Sequence, residues 1–185
     1  IMAYTAIDDP EAYFQTVIYT GNGSANNAIT LPGDTDMQPD LVWIKNRDAT
    51  DSHCLFDAVR GATKLLSSDV NSAEATDADT LDSFASDGFQ VDADVKVNTN
   101  TEKYVAWCWK ANGSGSSNTD GSINTTSTSA DTTSKFSIST YTATGSSGAT
   151  IGHGLGVVPA VIMVKIRAGG DYDWAVYHHK NTSAP

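Results

Sequence analysis

Positive charge is what this 185-residue chain has least of: 11 Lys and Arg stand against 22 Asp and Glu, a formal net charge of −11. A surface so acidic repels phosphate backbones, so nucleic acid is not an expected partner. The same charge favours solubility and suits a salty medium in which repulsion is screened. Long apolar runs are also missing. None approaches the ~20 residues that a membrane-spanning helix needs, so membrane insertion is not expected. Cysteine is scarce: Cys54 and Cys108 are too few for a disulfide framework and lack the spacing of a metal motif. Each lies in an apolar context, His53-Cys54-Leu55-Phe56 and Ala106-Trp107-Cys108-Trp109, where cysteine reads as a small buried hydrophobe. Spacing alone leaves open whether the two pair.

What the chain does have is repetition. Phe14-Gln-Thr-Val-Ile-Tyr19-Thr20 aligns with Phe136-Ser-Ile-Ser-Thr-Tyr141-Thr142, and Gly23-Ser24 with Gly145-Ser146. Pro39-Asp-Leu-Val-Trp-Ile-Lys45-Asn-Arg47 aligns with Pro159-Ala-Val-Ile-Met-Val-Lys165-Ile-Arg167, and Cys54-Leu-Phe56 then falls opposite Trp174-Ala-Val176. The offset drifts only from 122 (Phe136 against Phe14) to 120 (Pro159 against Pro39). Several matches in order at nearly constant spacing mark a structural repeat. The first copy runs on to Tyr104-Val-Ala-Trp107-Cys-Trp109-Lys110, whereas the second reaches Pro185 opposite the middle of the first. The expected organisation is therefore one complete module over 14–110, a Ser/Thr/Asn/Gly-rich connector over 111–134, and the first half of a second, truncated module over 135–185. The alternative is a genuine half-module completed by another subunit, because unpaired strand edges demand a partner.

Period-two patterning predicts strands over 16–19, 41–45, 54–59, 89–97 and 104–109, and again over 136–141, 160–166 and 174–177. Turn clusters such as Gly21-Asn22-Gly23, Pro32-Gly33-Asp34 and Gly169-Gly170 separate them. Short strands without long amphipathic helices point to an all-β fold, a β-sandwich of lectin-like or jelly-roll type. Two places read as helical: one turn at Asp9-Pro10-Glu11-Ala12-Tyr13, with an acidic cap before proline, and a turn within Ser72 to Phe84, where Leu81 and Phe84 are spaced by three.

Motifs of catalysis are not visible. Asp77-Ala-Asp79-Thr-Leu-Asp82 lacks the glycine and terminal glutamate of a calcium loop and reads as a solvated acidic stretch. Asp92-Ala-Asp94 reads as alternate strand residues facing water. His178-His179, adjacent on a strand, point to opposite faces, and His53 and His153 have no ligand at metal spacing. No metal or cofactor is expected. Gly152-His153-Gly154-Leu155-Gly156 precedes a strand instead of a helix, so it reads as a glycine-permitted corner and not a phosphate cradle. Aromatic side chains remain. Tyr19, Trp43, Trp107, Trp109, Tyr141 and Trp174 are candidates for stacking on sugar faces or for an interface, although aromatics at strand positions are more often core, and some of the tryptophans should face inward.

The opening Ile7-Asp8-Asp9-Pro10-Glu11-Ala12-Tyr13-Phe14-Gln15-Thr16 resembles the start of tail-fibre proteins of marine bacteriophages. So do Pro39 to Arg47, Leu55-Phe-Asp-Ala-Val-Arg60-Gly-Ala-Thr-Lys64, Ser86-Asp-Gly-Phe89, Tyr104 to Trp109 and the block Ile151 to Pro159. The likeness implies a non-enzymatic virion appendage, oligomeric and expected to be trimeric, with lectin-like sandwich modules and no catalytic residues to carry over. Its N-terminal segment, 1–13, would dock on the particle through Tyr4, Ile7, Tyr13 and Phe14. The modules would lead to a host-surface glycan, and other tail or capsid proteins would be partners. Met2-Ala3-Tyr4-Thr5 shows neither the basic nor the apolar region of a secretory signal, consistent with a virion location reached by lysis. A capsid-decorating or head-fibre protein and a carbohydrate-binding module of a secreted protein are the alternatives.

Overall fold

A computed structural model describes residues 7–181. Asp9 caps a short 3-10 turn, Pro10–Ala12, its carboxylate accepting from the Glu11 N–H with Pro10 at the first helical position, as the sequence predicts. Strands β1 (Phe14–Thr20), β2 (Asn27–Thr30), β3 (Leu41–Asn46), β4 (Cys54–Asp57) and β5 (Gly61–Ser67) follow. Next come β6 (Ala75–Thr76), β7 (Leu81–Ala85), β8 (Gly88–Val91), a single helical turn α1 (Val95–Asn98) and β9 (Lys103–Trp109). Beyond these lie β10 (Ser127–Asp131), β11 (Phe136–Thr140), β12 (Val161–Val164) and β13 (Ala175–His178).

The architecture is all-β and sandwich-like. A six-stranded sheet in the order β1-β9-β3-β4-β5-β6 packs on a three-stranded sheet, β2-β8-β7. Alternation decides which residues meet between them. Val17 of β1, Val42 and Ile44 of β3, Cys54 and Phe56 of β4 and Tyr104, Ala106 and Cys108 of β9 point inward, against Ile29 of β2 and Phe89 and Val91 of β8. Each large side chain buried there, Phe56, Phe89 and Tyr104 among them, contributes about 1.5–3 kcal/mol of transfer free energy. The last strand of this unit, β9, is inserted centrally, between β1 and β3.

Two polar side chains buried beside the core, Asn98 and Tyr104, find partners. Asn98, fully buried, donates to Asn22 Oδ1 and Ser24 O and accepts from Asn22 N and Asn27 Nδ2. Tyr104 donates to Val95 O and accepts from Thr99 N, both at 2.8 Å. Cys54 lies opposite Ile44 and Cys108 opposite Val42, on the two sides of β3. Two strand spacings of about 4.8 Å therefore separate them, beyond disulfide reach, and both are free and buried.

Several expectations need correction. Ser72 to Phe84 holds no helix but β6 and β7: Lys64 pairs with Thr76 and Leu65 with Ala75. The spacing of three between Leu81 and Phe84 arises from a register shift between Leu81 and Ser83, a bulge that lets both reach the core. The strand expected over 89–97 ends at Val91, because Asp94 caps α1 by accepting from Lys96 N (2.7 Å). The connector is not a bare linker. It carries β10, paired with β11, and buries Thr125, Thr128 and Ser129. Hydroxyls satisfy one another there: Thr128 Oγ1 lies 2.9 Å from both Thr125 Oγ1 and Ser139 Oγ.

The later strands repeat the earlier pairing. Ala58 N–H donates to Asp40 O (2.9 Å), so Val42 and Ile44 turn their backbone groups to β4 and Leu41, Trp43 and Lys45 turn theirs to β9. His179 N–H donates to Ala160 O at the same distance, so Ile162 and Val164 bond β13 in the same phase. Matching the two hairpins puts Cys54–Asp57 against Ala175–His178, one residue later than the alignment by sequence, because the connection between β12 and β13 is longer than that between β3 and β4. Trp174 thereby leaves the strand and sits in that connection. No counterpart of β9 lies among the described residues: β11 pairs only with β10, and β12 only with β13.

Candidate functional site

β9 reads Lys-Tyr-Val-Ala-Trp-Cys-Trp. Because Tyr104, Ala106 and Cys108 face the core, Val105, Trp107 and Trp109 must emerge on the opposite face of the six-stranded sheet. Trp43, between buried Val42 and Ile44, emerges there too. Cross-strand register aligns Thr16, Trp107, Trp43, Leu55 and Leu66 in one row over five strands, and Phe14, Trp109 and Leu41 in the next. Trp43 meets Trp107 edge-on at 5.9 Å and lies 6.5 Å from Trp109. Phe14 packs on Trp109 at 5.0 Å, and Phe136 of β11 stacks on the same ring at 6.2 Å. Such pairs are worth about 0.5–1.5 kcal/mol each beyond their area. Trp43 Nε1 donates to His53 Nδ1 (3.1 Å), which fixes the imidazole on the edge of the indole with its other nitrogen carrying the proton.

This face is a half-buried aromatic ledge, covered at Trp109 by β11 and open along β1, where Phe14 and Ile18 are exposed. The expectation that some of these tryptophans face the core is corrected: Trp43, Trp107 and Trp109 all lie outside it. Tyr19 does the reverse. It stacks on Tyr104 (5.1 Å), meets Phe89 edge-on and donates to Val97 O (2.8 Å), so it belongs to the core and offers no sugar platform. Tyr141 is half-buried just after β11.

Trp174 stands elsewhere, in a cleft of about 480 Å³ lined by Ser68, Asp69, Val70, Asn71, Asp173 and Trp174. Its indole N–H donates to Ser67 O (2.8 Å), holding the ring at the end of β5. Asp69 accepts from His53 N (3.0 Å), and Lys165 Nζ donates to Asn71 O (2.7 Å), so both loops of the cleft are tied down. An indole plane with carboxylates and an amide beside it has the chemistry to stack on a sugar face and bond its hydroxyls.

A buried ionic brace anchors the same junction. Arg60 pairs with Asp57 and with Glu74 (3.1 Å), and Arg167 clamps Glu74 through Nε and Nη2, both at 2.8 Å. Burial pushes the Glu74 carboxyl up, but the hydrogen bonds from Arg167 and Arg60 outweigh it and hold it below its ordinary value. The Glu74 bonds in turn raise Arg167. Burial pushes the Cys54 and Cys108 thiols up to about 12, which leaves them unreactive.

Among the acidic residues, Asp77 and Asp94 converge on Lys96, at 3.8 and 3.0 Å. His178 ends β13 and His179 lies in the turn beyond it, so their rings approach to 5.1 Å and do not point to opposite faces. Of the docking residues named from the sequence, Tyr4 lies outside the described residues. Ile7 and Tyr13 are half-buried, Tyr13 O accepts from Lys110 N (2.9 Å), and Phe14 belongs to the aromatic ledge. Sequence reasoning missed Phe136, His53 and the Arg60–Glu74–Arg167 brace. The alignment of Phe136 with Phe14 was a usable signal for the first, since both settle on Trp109.

Comparison with curated proteins and with solved structures gives no match. The family described as Domain of unknown function (DUF7483) matches residues 9–184, and the chain belongs to that family.

Proposed function

We propose that this member of the family is a non-enzymatic structural protein of a bacteriophage virion, a tail fibre. Its N-terminal part attaches to the particle, and its β units lead to recognition of the host surface. The observation that carries the reading is the recurrence of one strand pairing, β3 with β4 and β12 with β13, along a single acidic chain. Extended appendages are built by adding such units, and the resemblance of Ile7 to Thr16 and of Pro39 to Arg47 to tail fibres supplies the context. Self-association, as a trimer, and contact with other tail or capsid proteins belong to this reading. The test is cryo-electron microscopy of particles carrying the protein. Density for the chain on the tail, with the segment before β1 buried against another virion protein, is the expected result. A free N-terminal segment refutes docking, and density on the capsid alone refutes the tail assignment.

A second reading, a carbohydrate-binding module of a secreted protein, draws on the cleft beside Trp174. It predicts saturable glycan binding by the soluble chain that is lost on Trp174→Ala. A glycan array without binding by folded protein removes it, and removes the glycan contact at this cleft from the fibre reading as well.

A further inference from the structure

In the first unit, β3 has a strand on each edge, β4 on one side and β9 on the other. In the second, among the described residues, β12 has β13 alone. The hydrogen-bond phase is the same in both, so the backbone groups of Val161, Met163 and Lys165 occupy the positions from which Leu41, Trp43 and Lys45 bond β9. One position on this edge is filled: Arg167 O accepts from Glu74 N at 3.0 Å, at the residue equivalent to Arg47, whose N–H donates to the O of Lys103, the first residue of β9. The apolar side chains tell the same story. Val42 and Phe56 are fully buried, whereas their counterparts Ile162 and Tyr177 are 43% and 42% exposed. Val161, Met163 and Val176 are exposed as well. A two-stranded ribbon with apolar groups open on both faces and an edge open at Val161, Met163 and Lys165 is a pairing site and not a finished surface.

We infer that β12 is the acceptor for one further strand, an extended segment with the chemistry of β9. That chemistry is small or apolar residues on one face and bulky aromatics on the other, entering antiparallel between the Arg167 end of β12 and its start. The first unit displays this occupant on the equivalent edge, with Ala106 and Cys108 alternating with Val105, Trp107 and Trp109. Main-chain bonds to Val161, Met163 and Lys165 supply the affinity, and the alternation supplies the choice of partner. This does not depend on the virion reading.

The probe is a synthetic peptide of residues 103–110, capped at both ends and kept reduced, added to the intact chain and followed by residue-resolved hydrogen exchange. At saturation the amides of Val161 and Met163 slow about ten-fold or more, as ladder formation requires, while those of Ile162 and Val164, already bonded to β13, change little. A scrambled peptide leaves all four unchanged. Met163→Pro removes one edge donor without touching a β12–β13 bond and abolishes the effect; Val161→Pro does the same if the first substitution disturbs the hairpin. Three results overturn the inference: no protection of Val161 and Met163 at millimolar peptide, protection at the outer edge of β1 instead, or a dimer in which β12 pairs with β12 of a second copy.

Discussion

Replacing Glu74 by Gln tests how the two units are joined. The Glu74 carboxylate takes three side-chain donors, Arg60 Nη1 and the Nε and Nη2 of Arg167. The Arg60 side chain is 4% exposed and that of Glu74 12%, so their attraction is little screened; Arg167, at 39%, is screened more. Glutamine keeps the shape and one acceptor oxygen but removes the charge. Breaking a buried pair outright costs about 3–5 kcal/mol. Arg60 keeps Asp57 and the carbonyls of Leu55 and Lys64, and the Arg167 bonds are discounted for exposure, so the expected loss is about 2–3 kcal/mol. Urea unfolding followed by tryptophan fluorescence measures it, and the Trp174 indole N–H resonance reports whether the ring still reaches Ser67. The sign of the pH dependence follows from the lowered Glu74 value. Between the folded and unfolded carboxyl values the unfolded chain holds the extra proton. The brace therefore contributes fully above the unfolded value and is lost as pH falls through the lower, folded one. Glu74→Gln should flatten stability against pH in that acidic window. A loss under about 0.5 kcal/mol, with an unmoved Trp174 resonance and an unchanged slope, refutes the brace.

Further predictions concern the first unit. Cys54 and Cys108, buried and free, should resist a thiol reagent in the native protein and both react in denaturant; fast native labelling of either contradicts the core assignment. Asn98→Ala strands the partners of a fully buried amide and should cost about 2–4 kcal/mol in urea unfolding, with the loop at residues 21–27 losing amide protection first. Gly88→Ala should cost at least as much, because Gly88 has a φ of +132° and an added Cβ would sit 2.0 Å from Ile29 O; a wild-type melting temperature would show that the β2–β8 approach is looser than described.

The strands with apolar alternation were legible in the sequence because burial writes itself there. Val42 and Ile44, Phe56, and Tyr104 to Cys108 carry the period of two that the core enforces. β10 was not legible, since Ser127 to Asp131 is stabilised by hydroxyl bonds and not by an apolar face. β7 read as helix because a bulge gave Leu81 and Phe84 a helical spacing. The aromatic residues were found, but not their side of the sheet. Alternation says that Trp107 and Cys108 face opposite ways, not which of them meets the smaller sheet. Trp174 reads as a strand residue because a longer connection shifts the repeat by one residue, a change that only the β12–β13 register reveals. The brace joins residues far apart in the chain, and nothing local to Arg60, Glu74 or Arg167 announces it.

The central claim is that the β3–β4 pairing recurs as β12–β13 and that, among the described residues, nothing takes at β12 the place that β9 takes at β3. Amide exchange of the protein alone, read residue by residue over β3 and β12, tests it most directly. The account predicts uniform protection over Leu41 to Lys45, bonded on both edges, and an alternation over Val161 to Val164: slow at Ile162 and Val164, fast at Val161 and Met163. Equal protection at all four β12 positions, or alternation in the opposite phase, would contradict it.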